Sequence, residues 1–361
     1  MRSWVEVSRS RICENYRAVR GVLGDGVEIM AVVKADAYRH GAVDVSRVLE
    51  GEGVRWLAVS NVGEGIALRQ AGINARILVM ADFLPEDRDA LETFRLTPVV
   101  HSLEGVAEVR VPYHLKVDSG MGRLGTRAAP HEILRAVAAA GAPLEGLMTH
   151  FASSANYESR QTEEQIARFD AVIAAFRAGG RMPDYVHLSS TIPVAYRRTE
   201  AWGNLVRPGH AIYGYVSPGR GPVPPAVLKV KPALTWKATV LSVKDIEAGA
   251  LIGYGGIHRA ARPMKIAILA AGYADGIPHR LSNRGKVIAR GKLVPIVGAV
   301  SMDLTTIDAT ETDLRAGDAV TLLGSEGGVS IDAQQIARWA GTISYSVLCG
   351  IHARVTRVYM D

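Results

Sequence analysis

Short apolar runs alternate with amphipathic segments of helical period through the first half of the chain. The apolar runs lie at residues 27–33, 56–59, 77–80, 97–100, 114–117, 144–148, 186–188 and 204–206. The clearest amphipathic segments lie at residues 43–49, 64–71, 131–139 and 162–178. Continuous apolar strands joined by helices are typical of a parallel sheet that is covered on both faces. Eight such units predict an α/β fold, a (β/α)₈ TIM barrel.

Polar side chains stand directly after five of these apolar runs. They are Lys34, Lys116 with Asp118, His150, Ser189 with Ser190, and Arg207. In a barrel of this kind the active site lies at the carboxyl ends of the strands, where all five positions would meet. Lys34 ends a run of valines, so burial would disfavour its ammonium form and leave a nucleophilic amine. Taken alone, a lysine at a strand end is more often an ordinary solvated residue.

The chain changes character after a stretch rich in proline and glycine at residues 214–232. Beyond it, β-branched runs and glycine turns dominate, at residues 239–243, 265–269, 286–289, 293–297, 304–307 and 319–322, with one helical segment at 332–340. This pattern predicts a mostly antiparallel β domain. We therefore predict two domains, a barrel at residues 1–229 and a β domain at residues 230–361.

Composition excludes several classes of protein. The 361 residues are 48% hydrophobic and 22% charged, which is typical of a globular protein. The net charge is +6, but the basic residues are interspersed with 36 acids, so we expect no nucleic-acid partner. The N-terminus lacks an apolar signal region and no apolar run approaches about 18 residues, so we expect no membrane partner and a cytoplasmic protein. Cys13 and Cys349 are far apart, and no cluster has metal-ligand spacing, so we expect no metal site.

Seven short motifs occur in order across both halves of the chain. They are Ala-Val-Val-Lys-Ala-Asp-Ala-Tyr at 31–38, Lys-Val-Asp-Ser-Gly-Met-Gly-Arg-Leu-Gly at 116–125, Thr-His-Phe at 149–151, Arg-Pro-Gly at 207–209, Tyr-Gly at 254–255, Gly-Tyr-Ala-Asp-Gly at 272–276 and Ser-Met-Asp at 301–303. Together they resemble bacterial alanine racemases, which combine a barrel with a β domain and use pyridoxal 5'-phosphate (PLP). The resemblance extends from about residue 4 to residue 359.

The resemblance implies an isomerase that interconverts L-alanine and D-alanine by a two-base mechanism and supplies D-alanine for peptidoglycan. Lys34 matches the lysine that holds the cofactor as a Schiff base and acts as the base on one face of the substrate carbon. Tyr254 matches the base on the opposite face, which comes from the other subunit of a homodimer. A tyrosine has a reference pKa of about 10, so this role needs surroundings that stabilise its phenolate. The resemblance gives that supporting role to His150 and Arg207.

The resemblance also assigns the remaining contacts of the cofactor and the amino-acid substrate. Arg207 would donate to an unprotonated pyridine nitrogen, which weakens the electron sink and limits side reactions, and His187 would support it. His150 would face the cofactor ring. Phosphate contacts would come from Tyr38, Ser190, Thr191, Gly209, His210 and Tyr345. The substrate carboxylate would be bound by Arg123, Tyr273 and Met302, with a carbamylated Lys116 and Asp303 in support.

Four positions depart from the family pattern. Arg39 stands where glycine is usual, Ser190 begins a Ser-Thr pair where Asn-Ser is common, His210 replaces an aliphatic residue, and His258 replaces an aromatic one. These departures leave the details of phosphate contact and pocket entry open.

Three other functions compete with alanine racemisation. A PLP-dependent decarboxylase of the same architecture should lack both the Arg-Pro-Gly motif and the Tyr254 base. A barrel-type PLP carrier protein usually ends with the barrel, whereas this chain continues beyond it. A racemase that prefers another small amino acid, such as serine, stays open, because a small apolar pocket rejects one additional hydroxyl poorly.

Overall fold

The computed structural model describes residues 1–81 and 83–361, which divide by their contacts into two compact units. The barrel unit comprises Arg11–Ala37 and Ala42–Lys231, and the β unit comprises Met1–Ser10, Tyr38–Gly41 and Pro232–Asp361. The strands are β1 (Ser3–Ser8), β2 (Glu28–Val32), β3 (Trp56–Val59), β4 (Arg76–Val79), β5 (Leu96–Val100), β6 (Tyr113–Lys116), β7 (Leu144–Met148), β8 (Tyr185–His187), β9 (Leu205–Val206), β10 (Leu234–Ile246), β11 (Leu251–Ile252), β12 (His258–Arg259), β13 (Met264–Leu269), β14 (Lys286–Ala289), β15 (Lys292–Pro295), β16 (Thr305–Asp308), β17 (Ala319–Glu326), β18 (Val329–Ile331) and β19 (Thr356–Met360).

Eleven helices lie in the described part of the chain, and five of them correspond to the predicted helical segments at residues 43–49, 64–71, 131–139, 162–178 and 332–340. The eleven helices are α1 (Arg9–Leu23), α2 (Lys34–Arg39), α3 (Ala42–Gly51), α4 (Val62–Gln70), α5 (Arg88–Thr93), α6 (Leu103–Glu108), α7 (Pro130–Ala139), α8 (Gln161–Ala178), α9 (Thr191–Ala195), α10 (Ala333–Ala340) and α11 (Ser344–Cys349). Single 3₁₀ turns lie at Pro85–Asp87, Thr199–Ala201, Tyr254–Gly256 and His279–Leu281. None of the helices in the described part of the chain is both long enough and apolar enough to cross a bilayer.

The barrel unit is built on a parallel sheet in which β2 to β8 pair in chain order and β9 pairs with β2 on its other side. Backbone hydrogen bonds of 3.0 Å, from Asn204 N to Val186 O and from Arg207 N to Ser189 O, join the last strand region to β8. Every residue of β3 is buried, as expected for a strand with covered faces. The predicted (β/α)₈ barrel is confirmed. The carboxyl ends of its strands are the positions at which we predicted the reactive polar side chains.

The β unit is a mostly antiparallel sheet centred on β10, which pairs with β1, β13 and β17. The predicted β domain at the C-terminal end is therefore confirmed as an architecture. Its composition differs from the predicted boundaries because β1 belongs to it, pairing antiparallel with β10 and parallel with β19. The alternation in β1 buries Val5 and Val7. The segment at residues 1–10 thus joins a sheet whose other strands lie more than 200 residues away.

Candidate functional site

Lys34 opens a turn of left-handed helix directly after β2. The five residues that follow it, residues 35–39, have φ between 53° and 66°. For residues other than glycine this conformation costs about 1–2 kcal/mol each. The turn is held by hydrogen bonds of 2.8 Å from Ala35 N to the Glu64 carboxylate and from Ala42 N to the Asp36 carboxylate. Strain of this size persists only where surrounding contacts enforce it, and such strain is common at functional sites.

Arg39 is the last residue of this left-handed turn, at a position where the family pattern has glycine. Its φ of 66° is one that glycine adopts without strain. Its side chain donates from Nε to Cys349 O at 3.3 Å, and its own carbonyl oxygen accepts from Arg357 Nε at 3.3 Å. These two hydrogen bonds within the β unit help to hold Arg39 in a conformation that glycine would adopt with less strain.

A cluster of cationic side chains surrounds His150 at the carboxyl ends of the barrel strands. Burial, together with the charges of Arg207, Lys116, Arg123 and Lys34, lowers the pKa of His150 to about 3. His150 is therefore a neutral imidazole at neutral pH. The predicted site residues of the barrel unit are thus brought within electrostatic range of one another. Such a concentration of positive charge attracts anionic ligands.

Lys116 is the most deeply buried lysine of this cluster, with 5% of its surface exposed. Burial, together with the charges of Arg123 and Arg207, lowers its pKa to about 8. The unprotonated amine is therefore more abundant near neutral pH than for an ordinary lysine. Arg123 is exposed, and within residues 1–81 and 83–361 it has no hydrogen-bonding partner. Its guanidinium is available to a ligand.

Arg207 lies almost completely buried, with 2% of its surface exposed. Its Nη2 donates to Thr149 O at 2.7 Å and to Leu188 O at 3.0 Å. Its Nη1 donates to His187 O at 2.9 Å and to His187 Nδ1 at 2.6 Å. A weaker contact of 3.3 Å joins Nη2 to His150 Nδ1. The remaining donor, Nε–H, has no acceptor among the described residues, so it can serve a ligand.

Backbone amides at two adjacent turns of the barrel unit form a cradle for an anion. The N–H groups of Ser190, Thr191 and Gly209 have no acceptor in the described part of the chain. Thr191 and Gly209 are buried, where an unpaired amide is costly. His210 is buried beside them and stacks on Tyr215, with ring centroids 5.0 Å apart. Four predicted phosphate contacts therefore lie together.

The remaining predicted site residues lie in the β unit. Tyr38 and Tyr345 are neighbours, with ring centroids 6.0 Å apart. Burial raises the pKa of Tyr38, so it remains a phenol that can donate a hydrogen bond. Tyr273 and Met302 lie on two segments held together by hydrogen bonds from Tyr273 N to Ser301 O and from Ala274 N to Met302 O. A side chain at Gly272 would come within 2.3 Å of Ser301 O, so this close approach requires glycine.

Tyr254 is the most exposed large apolar side chain of the protein as described, at 77% of its surface. It is the first residue of the 3₁₀ turn at Tyr254–Gly256 and lies between Gly253 and Gly255, whose φ values are 72° and 67°. These conformations favour glycine, and they present the tyrosine on the surface of the β unit. His258 lies nearby in sequence, in β12, and is only partly exposed.

Sequence reasoning missed an ion-pair network around Asp303. Arg354 donates to both carboxylate oxygens of Asp275, at 2.7 and 2.9 Å, and to Asp303 at 2.8 Å. Asp275 also accepts from Gly272 N at 2.8 Å. The network therefore connects the Tyr273 segment to the Met302 segment. Asp275 stands inside a recognised motif and could have been found, whereas nothing in the local sequence singles out Arg354.

No three His, Cys, Asp or Glu side chains within residues 1–81 and 83–361 form a group that could hold a metal ion. The charges and unpaired donors of the site instead suit an organic anion with several acceptor groups. PLP is such a molecule, since it carries a phosphate and a pyridine nitrogen. The amide cradle and Arg207 Nε–H fit these two groups.

Comparisons with known proteins agree with this geometry. Two family models match the chain, "Alanine racemase, N-terminal domain" over residues 7–218 and "Alanine racemase, C-terminal domain" over residues 233–359. The chain is 38% identical to the alanine racemase of Halothermothrix orenii, over 99% of this chain and 97% of the relative. It is 39% identical to that of Symbiobacterium thermophilum, over 99% and 97%.

Solved structures are similar over the whole length. The alanine racemase from D-cycloserine-producing Streptomyces lavendulae superposes with a TM-score of 0.93 at 31% identity, covering 100% of this chain and 97% of that one. The Bacillus anthracis enzyme with bound L-Ala-P superposes at 0.91 with 34% identity, covering 99% and 95%. That of Bartonella henselae, with covalently bound pyridoxal phosphate, superposes at 0.87 with 26% identity, covering 100% of both chains. The chain belongs to the alanine racemase family.

Proposed function

We propose that Lys34 and Tyr254 are the two bases with which this chain interconverts L-alanine and D-alanine, and that a second copy of the chain completes the site. The reaction follows from family membership, since the chain is a PLP-dependent amino-acid racemase. The observation that carries the assignment of residues is the cationic cluster around His150, with Lys34 at the end of β2 and unpaired donors beside it.

The barrel unit supplies the residues that would hold PLP. Ser190, Thr191, Gly209 and His210 suit the phosphate. When bound, the cofactor withdraws electrons from the substrate Cα, so that its proton becomes acidic enough to remove. Lys34 holds the cofactor and carries a proton at Nζ on one face of that carbon. His150 presents a neutral ring, because burial keeps its pKa low.

The hydrogen bonds of Arg207 support its assignment as the partner of the pyridine nitrogen of PLP. A guanidinium can only donate hydrogen bonds, so it favours an acceptor nitrogen without a proton. Its Nη groups are occupied by carbonyl oxygens and His187, which leaves Nε–H oriented by four hydrogen bonds. His187 in turn remains neutral, because burial and then the charge of Arg207 lower its pKa well below the usual value.

Replacing Arg207 by Glu is expected to destabilise the fold. The substitution would place a carboxylate against the carbonyl oxygens of Thr149, His187 and Leu188, all of which now accept from Arg207. An uncompensated buried charge of this kind costs about 3–5 kcal/mol. Denaturant unfolding should show this loss, with Arg207→Gln as the matched neutral control. Equal stability of the Glu and Gln variants would contradict the proposed network.

Substrate recognition needs a cation and a donor for the amino-acid carboxylate. We assign the cation to Arg123, which has no hydrogen-bonding partner among the described residues, and the donor to Met302 N–H with Tyr273. Carbon dioxide adding to the neutral Lys116 amine would give a carbamate and a proton, and the carbamate would pair with Arg123. Burial makes Lys116 suitable for this reaction, since only the unprotonated amine adds carbon dioxide and its pKa is lowered to about 8.

Lys116→Ala is expected to lower kcat/KM by about 10²-fold, because Arg123 would lose its anchor and misplace the substrate. A small carboxylate such as acetate, added at millimolar concentration, should restore part of the activity.

In the wild-type protein the carbamate should become more abundant as the pH rises past about 8, where the amine loses its proton. Carbon-13 NMR with labelled bicarbonate measures this directly. Lys229→Ala, at an exposed position, is the control. An unmodified Lys116 together with an unaffected mutant would refute the assignment.

A homodimer is supported by the surface around Tyr254. Leu251, Ile257 and Met302 are exposed over 58%, 53% and 54% of their surfaces. Exposed apolar side chains in one region commonly mark an interaction surface. In a symmetric dimer each copy would offer Tyr254 to the barrel unit of its partner. This arrangement would bring the phenol beside the cations that stabilise its phenolate.

The reaction and its substrate are tested together. Purified protein with PLP should convert L-alanine into D-alanine and the reverse, measured by a coupled oxidase specific for D-amino acids. L-Serine in the same assay shows whether the protein prefers a substrate whose side chain is larger than that of alanine. Rescue of a D-alanine-requiring bacterium by the expressed chain would support the proposed role in the cytoplasm, the supply of D-alanine for peptidoglycan. A protein that binds PLP and racemises neither amino acid would contradict the proposal.

A further inference from the structure

A line of buried side chains runs from Arg207 through the barrel to the amino ends of the strands. Arg207 Nη1 donates to His187 Nδ1 at 2.6 Å. His187 Nε2 lies 2.8 Å from His114 Nδ1, and both rings are fully buried. His114 Nε2 faces Glu145 Oε2 at 3.8 Å, too far for a hydrogen bond but close enough for attraction between charge and dipole. Arg76 binds the Glu145 carboxylate, with Nη2 2.6 Å from Oε2.

The position of each proton along this line follows from Arg207. A guanidinium has no acceptor, so His187 Nδ1 must accept and its proton must lie on Nε2. That proton then points at His114 Nδ1, which must accept in turn, so the His114 proton lies on Nε2 and faces Glu145. Burial lowers the pKa of both histidines, so each carries a single ring proton. Both ring dipoles therefore have their negative end toward Arg207 and their positive end toward Glu145.

The local structure is adapted to this arrangement. Tyr113 pairs with Leu144 and His114 pairs with Gly146, which leaves Glu145 as the additional residue of a β-bulge in β7. A bulge turns a side chain away from its regular direction, and here it turns Glu145 toward His114. Gly146 makes room for the ring, because a Cβ there would lie 2.4 Å from His114 Nδ1. Two consecutive residues of β7 thus provide the carboxylate and the space.

Aromatic packing holds His114 on its other sides. The Trp56 ring lies edge-on at 5.4 Å between centroids, and the Tyr185 ring stacks at 5.9 Å. The Arg76 guanidinium lies over Trp56 at 4.1 Å, so the partner of Glu145 is fixed by the same cluster. The histidine has little freedom to turn, and its Nε2 has no other partner in the described part of the chain.

We propose that Glu145 and His114 are positioning residues for Arg207, fixing the tautomer of His187 so that Arg207 Nε–H keeps one direction toward the cofactor. The inference rests on the proposed role of Arg207 as the partner of the pyridine nitrogen. In the reversed arrangement His187 would point an N–H at the guanidinium and His114 would point a lone pair at the Glu145 carboxylate. The carboxylate at the far end therefore favours the same direction of the chain that the guanidinium requires.

Nitrogen-15 NMR of the full-length protein with PLP bound, labelled in histidine, tests the proton positions. Both His114 and His187 are expected as neutral rings protonated at Nε2. In Glu145→Gln the His114 proton should exchange faster with water and a second tautomer should become detectable. Glu28→Gln is the matched control, because Glu28 pairs with Arg55 at the same end of the barrel strands and touches no histidine. A proton on His187 Nδ1, or unchanged spectra in Glu145→Gln, would overturn the inference.

Kinetics supply the second readout. Glu145→Gln is expected to lower kcat roughly 2- to 30-fold, the range found for residues that act through a network. The KM for alanine should change less than twofold, because the line includes none of the residues assigned to the substrate carboxylate. His114→Gln, whose amide can both accept and donate, should keep more of the wild-type kcat than His114→Leu.

The outcomes separate this inference from the proposed function. If the wild-type protein racemises alanine while Glu145→Gln and Glu28→Gln have equal kcat, the positioning role fails and the function remains. If the wild-type protein lacks racemase activity, the proposed function fails, and the positioning role that rests on it fails with it. In that case the NMR spectra still decide whether the hydrogen-bonded line has the stated direction. If His114→Leu does not fold, the comparison of Glu145→Gln with its control carries the test alone.

Discussion

Lys34→Ala is expected to abolish racemisation, with a loss of roughly 10⁴-fold or more in kcat, because one residue both holds the cofactor and carries a proton to the substrate carbon. Lys34 follows β2 and begins a strained left-handed turn. It belongs to the group of cationic side chains whose charges lower the pKa of His150. Among the described residues of the barrel unit, Lys34 is the lysine that follows a barrel strand and whose charge lowers the pKa of both Lys116 and His150.

Borohydride reduction measures the attachment separately from the activity. Wild-type protein treated with PLP and borohydride should carry the reduced cofactor on the peptide that contains Lys34. Lys116→Ala should carry the same label, although its activity is reduced, and therefore serves as the control. Lys34→Ala should carry none. Labelling of a different lysine in the wild-type protein would show that the assignment of Lys34 is wrong.

An inactive Lys34→Ala chain mixed with an inactive Tyr254→Phe chain is expected to regain about a quarter of the wild-type activity. In a randomly assorted symmetric dimer, half of the molecules pair the two variants, and one of their two sites contains both bases. The exposure of Tyr254, at 77%, supports a role that another copy of the chain completes. The phenylalanine variant removes only the hydroxyl, so the surface that surrounds residue 254 is retained.

The mixing experiment needs a control in which no intact site can form. Lys34→Ala mixed with the Lys34→Ala, Tyr254→Phe double variant should remain inactive. Differently tagged chains establish by affinity capture that mixed dimers are present. If mixed dimers form and show no activity, Tyr254 is not contributed across the interface.

The sequence predicted the barrel closely because its strands are continuous apolar runs. The predicted strand at residues 144–148 coincides with β7, and the predicted helix at 131–139 differs from α7 by one residue. A strand that is buried on both faces can be recognised without knowledge of its neighbours, since burial alone favours a continuous run of apolar residues. The same local pattern explains why Lys34, His150 and Arg207 could be expected at one end of the barrel.

The boundary of the β unit was less accessible to sequence reasoning. Residues 3–8 alternate, and this alternation indicates a strand, but not which sheet it joins. The partners of β1 are β10 and β19, at the far end of the chain, and no local pattern connects them. Pairing of this kind is decided by the burial of Val5 and Val7 within the completed sheet.

By itself, the sequence determined the barrel, the β domain and the family, because apolar patterning and motifs can be read directly along the chain. Only the tertiary structure decided that residues 35–39 take a left-handed turn, since steric cost opposes this turn and the carboxylate of Glu64, 29 residues away, helps to hold it. The tertiary structure likewise decided that His114 and Glu145 extend the Arg207 network, and that Arg354 joins Asp275 to Asp303. These contacts link residues from separate strands and turns, and they form because a buried polar group must find its partner wherever the fold places one.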